Sequence, residues 1–403
     1  MSNFKISISK HYRWIVTGAC FCLTLIYGFT LSFGVFLDPI IKEFGWSNAI
    51  TSGVYSTYWI FWTVSGLLTG TLADRYSPRL ILTTSAFLAG FGMVLSASVS
   101  AVWHLYLSFG VMGGVGAGGV WAPAMTLTMR WFKQERPLNW AVSLVALGSA
   151  VGMMFVAPLE GRIIPTFGWR AGYYLVALFI WGITLVVAIL IRNPPKLIAT
   201  QRPKLGFSES LGGMKTRSFL LLLISYAVVG GWARQDLLVH IISSLSSKEF
   251  DYVVAVSSLV FVGGGSAFGR LLIDPMGKKM GQKAILFLFY SLQGLSILLL
   301  MIAHNLDAAY LSSFLFGIAY GGAVCVVPLI VAKTYGTAHF GVMFGVLMTG
   351  VGAGAVFGPI FGGYLYDLTR TYFYSFLVDV SISFVGAGLF LLFRPRMDLD
   401  VRR

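Results

Sequence analysis

The sequence predicts an all-α membrane protein with twelve transmembrane helices in two pseudo-symmetric bundles of six. Three observations lead to this prediction: twelve long apolar segments, a composition that is 57% hydrophobic and 11% charged, and a similarity between the two halves of the chain. A helix needs about 20 mostly apolar residues to cross a bilayer, and each segment supplies that length. The longest connection, 192–217, leaves no room for a soluble domain.

The apolar segments are numbered one to twelve in chain order, and each predicts one crossing. The first six lie at 14–38, 47–72, 80–100, 102–130, 138–158 and 171–191. The last six lie at 218–245, 252–273, 284–303, 308–335, 340–366 and 372–393. This gives a predicted N-terminal bundle at 14–191 and a C-terminal bundle at 218–393. Residues 1–13, 192–217 and 394–403 are then a cytoplasmic N-terminus, linker and C-terminus.

The net charge of +14 would suit a nucleic-acid partner, but the distribution of the basic residues does not. With the N-terminus inside, 22 of the 29 Lys and Arg residues fall in the termini and the cytoplasmic loops. Five lie on the outer side, at Lys42, Arg162, Arg170, Lys248 and Arg370. Basic loops stay in the cytoplasm and attract anionic lipid. We therefore expect a multi-pass protein of the inner (plasma) membrane, with both termini cytoplasmic, lipid around it and no nucleic-acid partner.

The two halves of the chain resemble each other at a nearly constant offset. Arg79 after the second segment matches Lys283 after the eighth at an offset of 204, and Pro123 matches Pro328 at 205. Equal topology in both halves indicates a parallel repeat about an axis along the membrane normal. Transporters built from such repeats bind their substrate near the middle of the membrane, between the halves. The repeat therefore favours transport.

The loop after the second segment carries a specific motif. Residues 70–79 read GTLADRYSPR, which resembles the G-x-x-x-D-R-x-G-R-[KR] loop of the major facilitator superfamily. Ser77-Pro78 departs from that pattern. The resemblance covers nearly the whole chain and implies the major facilitator fold. Asp74 can then accept bonds from a neighbouring helix end while Arg75 and Arg79 stay in cytoplasmic water. These three residues are the predicted latch of one conformation.

A narrower resemblance begins where the fourth segment ends. Residues 130–136 read RWFKQER, which is similar to the start of helix 5 in monocarboxylate transporters and their bacterial relatives, including the oxalate/formate exchangers. In the eighth segment, Gly269-Arg270 begins a stretch similar to the G-R-L-x-x-G pattern of those relatives. The acidic helix 1 signature of the animal transporters is missing. The resemblance implies a symporter of protons and lactate-like or pyruvate-like monocarboxylates that works by alternating access.

Arg270 is the main candidate for binding a carboxylate. A cation inside a membrane segment is costly and indicates a functional site, and the planar guanidinium matches a carboxylate in a two-pronged geometry. The resemblance also places the substrate arginine of the family at this position. Two structural interpretations stay open: Arg270 could reach cytoplasmic water, or it could pair with Asp274 one helical turn later.

The seventh segment contains a second cluster of ionisable residues. Arg234, Asp236 and His240 lie within seven residues of each other. Asp236 and His240 are four apart and share a helix face. The resemblance places a histidine that faces the substrate pathway at His240. Arg234 is a second candidate cation for the substrate. The alternative is an internal Arg234–Asp236 pair that stabilises an unwound Gly-Gly stretch.

Aromatic side chains complete the candidate pocket. Trp121 lies two residues before Pro123 in the fourth segment, and Tyr320 occupies the corresponding part of the tenth. Tyr27 of the first segment is the third candidate. Aromatic residues in a membrane protein more often pack against lipid or core, so each assignment competes with that interpretation.

The coupling of transport to protons needs a titratable group. Many monocarboxylate transporters carry an aspartate one turn before the substrate arginine, but Ser266 occupies that position here. Buried carboxylic acids bind protons tightly and histidine titrates near neutrality. Asp236 and His240 are therefore the predicted proton carriers, with uniport or anion exchange as the alternative mechanism.

Other function classes find little support. The sequence has no G-x-S-x-G elbow, P-loop or metal-spaced Cys/His cluster, so we expect no enzyme activity, no catalytic residue, no metal and no cofactor. A receptor would need a cytoplasmic output domain. A carrier of neutral or drug-like compounds would share the fold, but an exporter of cationic drugs would place acidic groups in its cavity.

The charge of the substrate is a separate question. The oxalate exchangers that this chain resembles carry a second cation, a lysine, in helix 11. The eleventh segment of this chain, 340–366, lacks Lys and Arg, which disfavours oxalate as the substrate. If Arg234 also reaches the pocket, a dicarboxylate or an anion exchanger returns as the alternative. The expected functional unit is a monomer.

Overall fold

Helices make up the regular structure in the computed structural model of this chain, which describes residues 2–132, 138–192 and 214–393. No strand occurs within those ranges. The α-helices are Ser2–Thr24, Ile26–Leu31, Gly34–Phe44, Asn48–Arg75, Pro78–Ala97, Val102–Leu105, Gly114–Phe132, Leu138–Phe167, Trp169–Leu190, Arg217–Ser225, Arg234–Ser246, Tyr252–Leu271, Ile273–Lys279, Gln282–Met301, Leu306–Thr369 and Phe373–Leu391. Two π-helices, Tyr106–Gly113 and Tyr226–Ala233, interrupt the fourth and seventh segments.

Eleven of the helical stretches in the described ranges are long and apolar enough to cross a membrane. The second segment is not among them, although the helix Asn48–Arg75 has 28 residues and is therefore about 42 Å long. Its many Ser, Thr, Tyr and Trp residues lower its hydropathy without shortening it. The predicted all-α membrane fold is confirmed.

The first segment is not the single helix predicted over 14–38. It is divided into Ser2–Thr24, Ile26–Leu31 and Gly34–Phe44. The middle piece packs closely against the fifth segment, because a Cβ on Gly28 would overlap the backbone of Gly152. Small residues allow such close approaches between membrane helices. The middle piece of the first segment therefore lies in direct backbone contact with the fifth segment.

The tenth and eleventh segments differ from the prediction in the opposite way. The sequence predicts separate spans with a break near residues 336–339, but helical structure is continuous over Leu306–Thr369. Its two apolar stretches are Leu306–Tyr335 and Val342–Thr369. The sequence between them contains no proline, so the backbone hydrogen bonds have no obligatory interruption.

The chain forms two compact units. The first comprises Met1–Glu43 and Thr57–Thr200, and the second comprises Phe44–Ser56 and Gln201–Arg403. The first residues of the second segment thus belong to the second unit. The predicted bundle boundaries at 14–191 and 218–393 remain a prediction.

An ion pair and a hydrogen bond join two helix ends in the first unit. Arg170 forms an ion pair with Glu43 at 2.7 Å, and the indole of Trp169 donates a hydrogen bond to the same carboxylate at 2.7 Å. Burial raises the pKa of the Glu43 carboxyl, but these two donors outweigh it, so the pKa lies below its usual range. The pair therefore holds the end of Gly34–Phe44 against the start of Trp169–Leu190.

A lysine side chain caps the C-terminus of one helix in the second unit. The ammonium of Lys248 donates to the carbonyls of Leu300 and Met301 at 2.8 Å each. These carbonyls belong to the end of Gln282–Met301, where the last carbonyls of a helix lack partners and carry partial negative charge. Burial lowers the pKa of Lys248. The contact fixes the end of the seventh segment beside the end of the ninth.

Candidate functional site

Arg234 is a deeply buried cation in the second unit, 2% exposed. It is the first residue of the helix Arg234–Ser246, directly after the π-helix Tyr226–Ala233. Its guanidinium lies 4.9 Å from the ring centre of Tyr320, and its Nη2 donates to Oε1 of Gln293 at 3.3 Å. The seventh, ninth and tenth segments therefore meet at this side chain.

The charge of Arg234 has no acidic counterpart in the described part of the second unit. No described carboxylate lies within 4.0 Å of it, and its Nε has no hydrogen-bond partner among the described residues. Gln293 is held in place because its amide nitrogen donates to the carbonyl of Val229 at 3.0 Å. A buried cation held only by neutral groups carries a large desolvation cost. Such a site suits an anion.

Arg270 is also buried, at 9% exposure, in the last turn of Tyr252–Leu271. A Cβ on the preceding Gly269 would overlap the carbonyl of Ile318, so the eighth and tenth segments touch at this level. The charge of Arg270 acts on the thiol of Cys325 in the tenth segment. Arg270 therefore points into the protein, whereas Asp274 is exposed.

Asp236 and His240 are in contact, as their spacing predicts. Oδ1 of Asp236 lies 3.4 Å from Nε2 of His240, and both side chains are fully buried. The hydroxyl of Ser375 donates to Oδ2 of Asp236. Among the described residues, Asp236 therefore contacts His240 and not Arg234. Gly230 and Gly231 form part of a regular π-helix and are not unwound.

The ring of His240 is fixed by its surroundings. Its Nε2 lies 3.1 Å from the carbonyl of Pro359 and 3.5 Å from the hydroxyl of Ser52. Because a carbonyl can only accept, we assign a proton to Nε2. Nδ1 has no hydrogen-bond partner among the described residues. Tyr372 packs on the ring at 5.1 Å. These contacts therefore hold the imidazole ring in one orientation.

Three residues of this region were missed by the sequence analysis. Asp379 is fully buried and interacts directly with Asp236. Gly362 lies against the Asp236 carboxylate, where a Cβ would overlap it. Gln293 orients Arg234. An acid or an amide within a predicted span was a signal that could have identified Asp379 and Gln293. No comparable signal marks Gly362 among 47 glycines.

Two of the predicted aromatic residues lie together in the first unit. The ring of Tyr27 is 5.0 Å from that of Trp121, in an edge-on arrangement. The Tyr27 hydroxyl donates to the carbonyl of Ala117 at 2.6 Å and accepts from the indole of Trp62 at 2.8 Å. Trp121 is only partly buried. Tyr27 is thus held by hydrogen bonds, and Trp121 offers an accessible face.

The predicted latch falls mostly outside the described side chains. Asp74 and Arg75 belong to the end of the helix Asn48–Arg75, but their side chains are not among those described. Arg79 is exposed near the start of Pro78–Ala97. The latch stays a prediction.

Within the described ranges no group of His, Cys, Asp or Glu could hold a metal ion.

Comparisons with known proteins identify relatives of this chain. The Major Facilitator Superfamily model matches residues 19–333 and 240–402. Monocarboxylate transporter 13 of Rattus norvegicus is 24% identical over 94% of this chain and 87% of its own length. Monocarboxylate transporter 11 of Mus musculus is 27% identical over the same shares. The MFS transporter asaE of Aspergillus flavus is 24% identical over 94% of this chain and 86% of its own.

Solved structures agree with these relatives at the level of the fold. The nucleoside transporter NupG, as its D323A mutant, superposes with a TM-score of 0.77 at 14% identity, covering 95% of this chain and 99% of that one. A bacterial homolog of the human lysosomal transporter Spinster gives 0.75 at 15% identity, covering 95% and 98%. The match of the family model along nearly the whole sequence, together with this shared fold, shows that the chain belongs to the Major Facilitator Superfamily.

Proposed function

We propose that this protein is a secondary transporter of small organic anions, and that it couples the entry of a lactate-like or pyruvate-like monocarboxylate to protons. The observation that carries the proposal is Arg234, a buried cation with no described carboxylate beside it. The names of the relatives, several of which are monocarboxylate transporters, support the same substrate class. An organic acid would supply the negative charge that no described carboxylate provides there.

The proposed roles follow from the positions of the side chains. Arg270 binds the substrate carboxylate, as the resemblance implies, and Arg234 is the second cation. Tyr320 packs on the guanidinium of Arg234 and limits its movement. Trp121 and Tyr27 provide the aromatic contribution of the first unit. His240 faces the pathway while it serves with Asp236 as a proton carrier.

A dicarboxylate is the second candidate substrate. It is favoured by the presence of two buried arginines, Arg234 and Arg270, in one unit. Cavity cations tend to match ligand charge, because an unpaired charge of either sign is costly to bury. Such a carrier could exchange one anion for another without moving protons.

Alternating access is the proposed mechanism. Rocking of 14–191 against 218–393 would expose the site to each side of the membrane in turn. The Asp74, Arg75 and Arg79 latch would stabilise one state. The proposed unit is a monomer in the inner membrane with both termini cytoplasmic, because basic residues concentrate in the loops assigned to that side.

The test is uptake of labelled acids into proteoliposomes. Lactate, pyruvate and succinate would be compared for the parent, Arg270→Gln, Arg234→Gln and the control Arg162→Gln, which removes an exposed arginine. Loss of one partner from a buried charge pair costs about 2–5 kcal/mol, so Arg270→Gln should reduce saturable uptake at least about tenfold. Near-normal uptake of every acid by Arg270→Gln would contradict its role. Selective loss of succinate uptake by Arg234→Gln would establish the dicarboxylate alternative.

A further inference from the structure

Asp379 is a buried acid that the proposed mechanism does not use. It lies in the helix Phe373–Leu391, one turn after Ser375, and its side chain is fully buried. Neither of its carboxylate oxygens accepts a hydrogen bond from a described residue. An ionised carboxylate left without donors in a membrane protein is strongly disfavoured. The position of Asp379 therefore favours a carboxyl that holds a proton.

Asp379 interacts with Asp236, another fully buried acid, to which Ser375 of the same helix turn donates a hydrogen bond. Two adjacent carboxyls in a dry site cannot both ionise, so they titrate as a pair. The two members have different surroundings. Asp236 receives the Ser375 hydroxyl and lies 3.4 Å from His240, whereas Asp379 has neither donor. The negative charge thus belongs on Asp236 and the proton on Asp379.

Other titratable groups on the helices of the second unit interact with groups other than Asp379. From the ninth segment, Lys283 donates to the carbonyl of Leu391, and Tyr290 lies within reach of the charge of Arg234. From the helix Leu306–Thr369, Asp367 accepts from the backbone amides of Asn48 and Ala49 at 3.0 and 2.9 Å. Tyr366 of that helix stacks on Tyr372 at 4.3 Å. Within the described structure, Asp379 therefore interacts with Asp236, which in turn contacts His240.

We propose that Asp379 shares the coupling proton with Asp236, so that the coupling site is a carboxyl pair with a histidine rather than Asp236 and His240 alone. This inference rests on the proposed proton-linked anion transport. Arg234 lies two residues before Asp236 in the same helix, so the anion site and the carboxyl pair influence each other electrostatically.

The coupling is reciprocal. When Asp379 is protonated and Asp236 is paired with a protonated His240, the cluster has no net charge. Loss of the proton from Asp379 leaves one uncompensated negative charge near Arg234, which weakens the binding of an anion there. By linkage, a bound anion favours uptake of the proton to the same degree. Substrate and proton would then enter together.

The test is the pH dependence of substrate affinity. In the parent, the affinity for the labelled acid should fall by about 5- to 150-fold as pH rises through the titration of the pair, the range typical of coupled sites. Asp379→Asn is permanently neutral, so its affinity should stay high and vary far less with pH. It should still exchange labelled for unlabelled acid, but should not concentrate the acid under a proton gradient. Asp379→Glu should restore coupling in part.

Asp274→Asn is the matched control, since it removes an exposed carboxylate from the eighth-to-ninth connection. It should behave as the parent. If Asp379→Asn keeps both the parent's pH dependence and its accumulation, the inference is wrong. If the parent exchanges no small acid at all, the proposed function is wrong.

A spectroscopic measurement tests Asp379 independently of transport. Infrared difference spectra at neutral pH should show the carbonyl stretch of a buried protonated carboxylic acid in the parent. The component from Asp379 should be missing from Asp379→Asn and present in Asp274→Asn, while the component from Glu160, a second buried carboxyl without a described hydrogen-bond partner, should stay in both. An unchanged band in Asp379→Asn, or no such band in the parent, would overturn the assignment even if the substrate remained unknown.

Discussion

Asp236 and His240 illustrate how single residues determine the proposed coupling. Their contact at 3.4 Å lies beside the carbonyl of Pro359, which fixes the ring of the histidine. A proton gradient of one pH unit is worth about 1.4 kcal/mol and can sustain up to about tenfold accumulation of the acid when one proton moves with each anion. In the proposed mechanism, these two side chains bind that proton.

The double variant Asp236→Asn, His240→Gln tests this role. It removes both charges while keeping similar shapes, so we expect loss of accumulation under an inward proton gradient with the membrane potential clamped. Exchange of labelled for unlabelled acid at equal pH should continue. A double variant that concentrates the acid as well as the parent would show that the proton binds elsewhere. A parent that never exceeds equilibrium would show that transport is not proton-coupled.

At the scale of residues, the spacing of two side chains within one helix predicts their contact better than the position of a residue along its segment predicts its neighbours in other helices. The i, i+4 spacing of Asp236 and His240 predicts their contact because both lie in one helix. The contact of Asp379 with Asp236 joins two segments 143 positions apart in sequence. Only the packing of the helices brings these two together. The sequence identifies Arg234 as a candidate, but the absence of a carboxylate beside it among the described residues depends on how the three segments around it pack.

At the scale of elements, Gly362 shows how a helix makes room for a charge. A Cβ at this position would overlap the carboxylate of Asp236, whereas a Cβ on Gly388 of the twelfth segment would meet nothing within 4 Å. The two glycines therefore form a matched pair. Both lie within helices, so the helix propensity of alanine acts equally on both.

Gly362→Ala should lower thermal stability, because overpacking costs about 1–3 kcal/mol, and should also weaken proton-driven accumulation. Gly388→Ala should leave transport unchanged and raise the thermal midpoint slightly, since alanine is the better helix former. Thermal unfolding in detergent and uptake assays measure the two effects. Equal behaviour of the two variants would contradict the contact between Gly362 and Asp236.

The element boundaries show where the sequence pattern reached its limit. Apolar length alone predicts the crossings well, as the extent of Gln282–Met301 against the predicted 284–303 illustrates. It cannot detect the division of the first segment at Leu25, because the residues remain apolar across it. Nor does it distinguish an α-helix from the π-helix Tyr226–Ala233, since both bury the same kind of residue.

At the scale of the whole molecule, the proposed motion involves both halves of the chain. Spin labels at Lys42→Cys and Ser247→Cys, which are exposed just after the first and seventh segments, would report it once Cys20, Cys22 and Cys325 are replaced by serine. We expect two separations whose populations shift when substrate is added, because rocking moves one bundle against the other.

A label pair within the first unit provides the control. Lys42→Cys with Phe167→Cys should give one distance with and without substrate, because both positions belong to the same compact unit. A single substrate-independent distance for the Lys42 and Ser247 pair, in a protein that still transports, would contradict rocking. A change in the control pair would instead indicate movement inside the first unit.

The π-helix before Arg234 has a consequence for how this family can diversify. A wider turn accommodates an additional residue, and removing one residue from an α-helix rotates the downstream residues by about 100°. A one-residue deletion within Tyr226–Ala233 would therefore turn Arg234, Asp236 and His240 away from their partners without changing any of these side chains. Insertion or deletion of a single residue in this stretch would therefore change which neighbours these ionisable side chains contact, as a substitution would. A sequence alignment that ignored such a change would compare residues that face different neighbours.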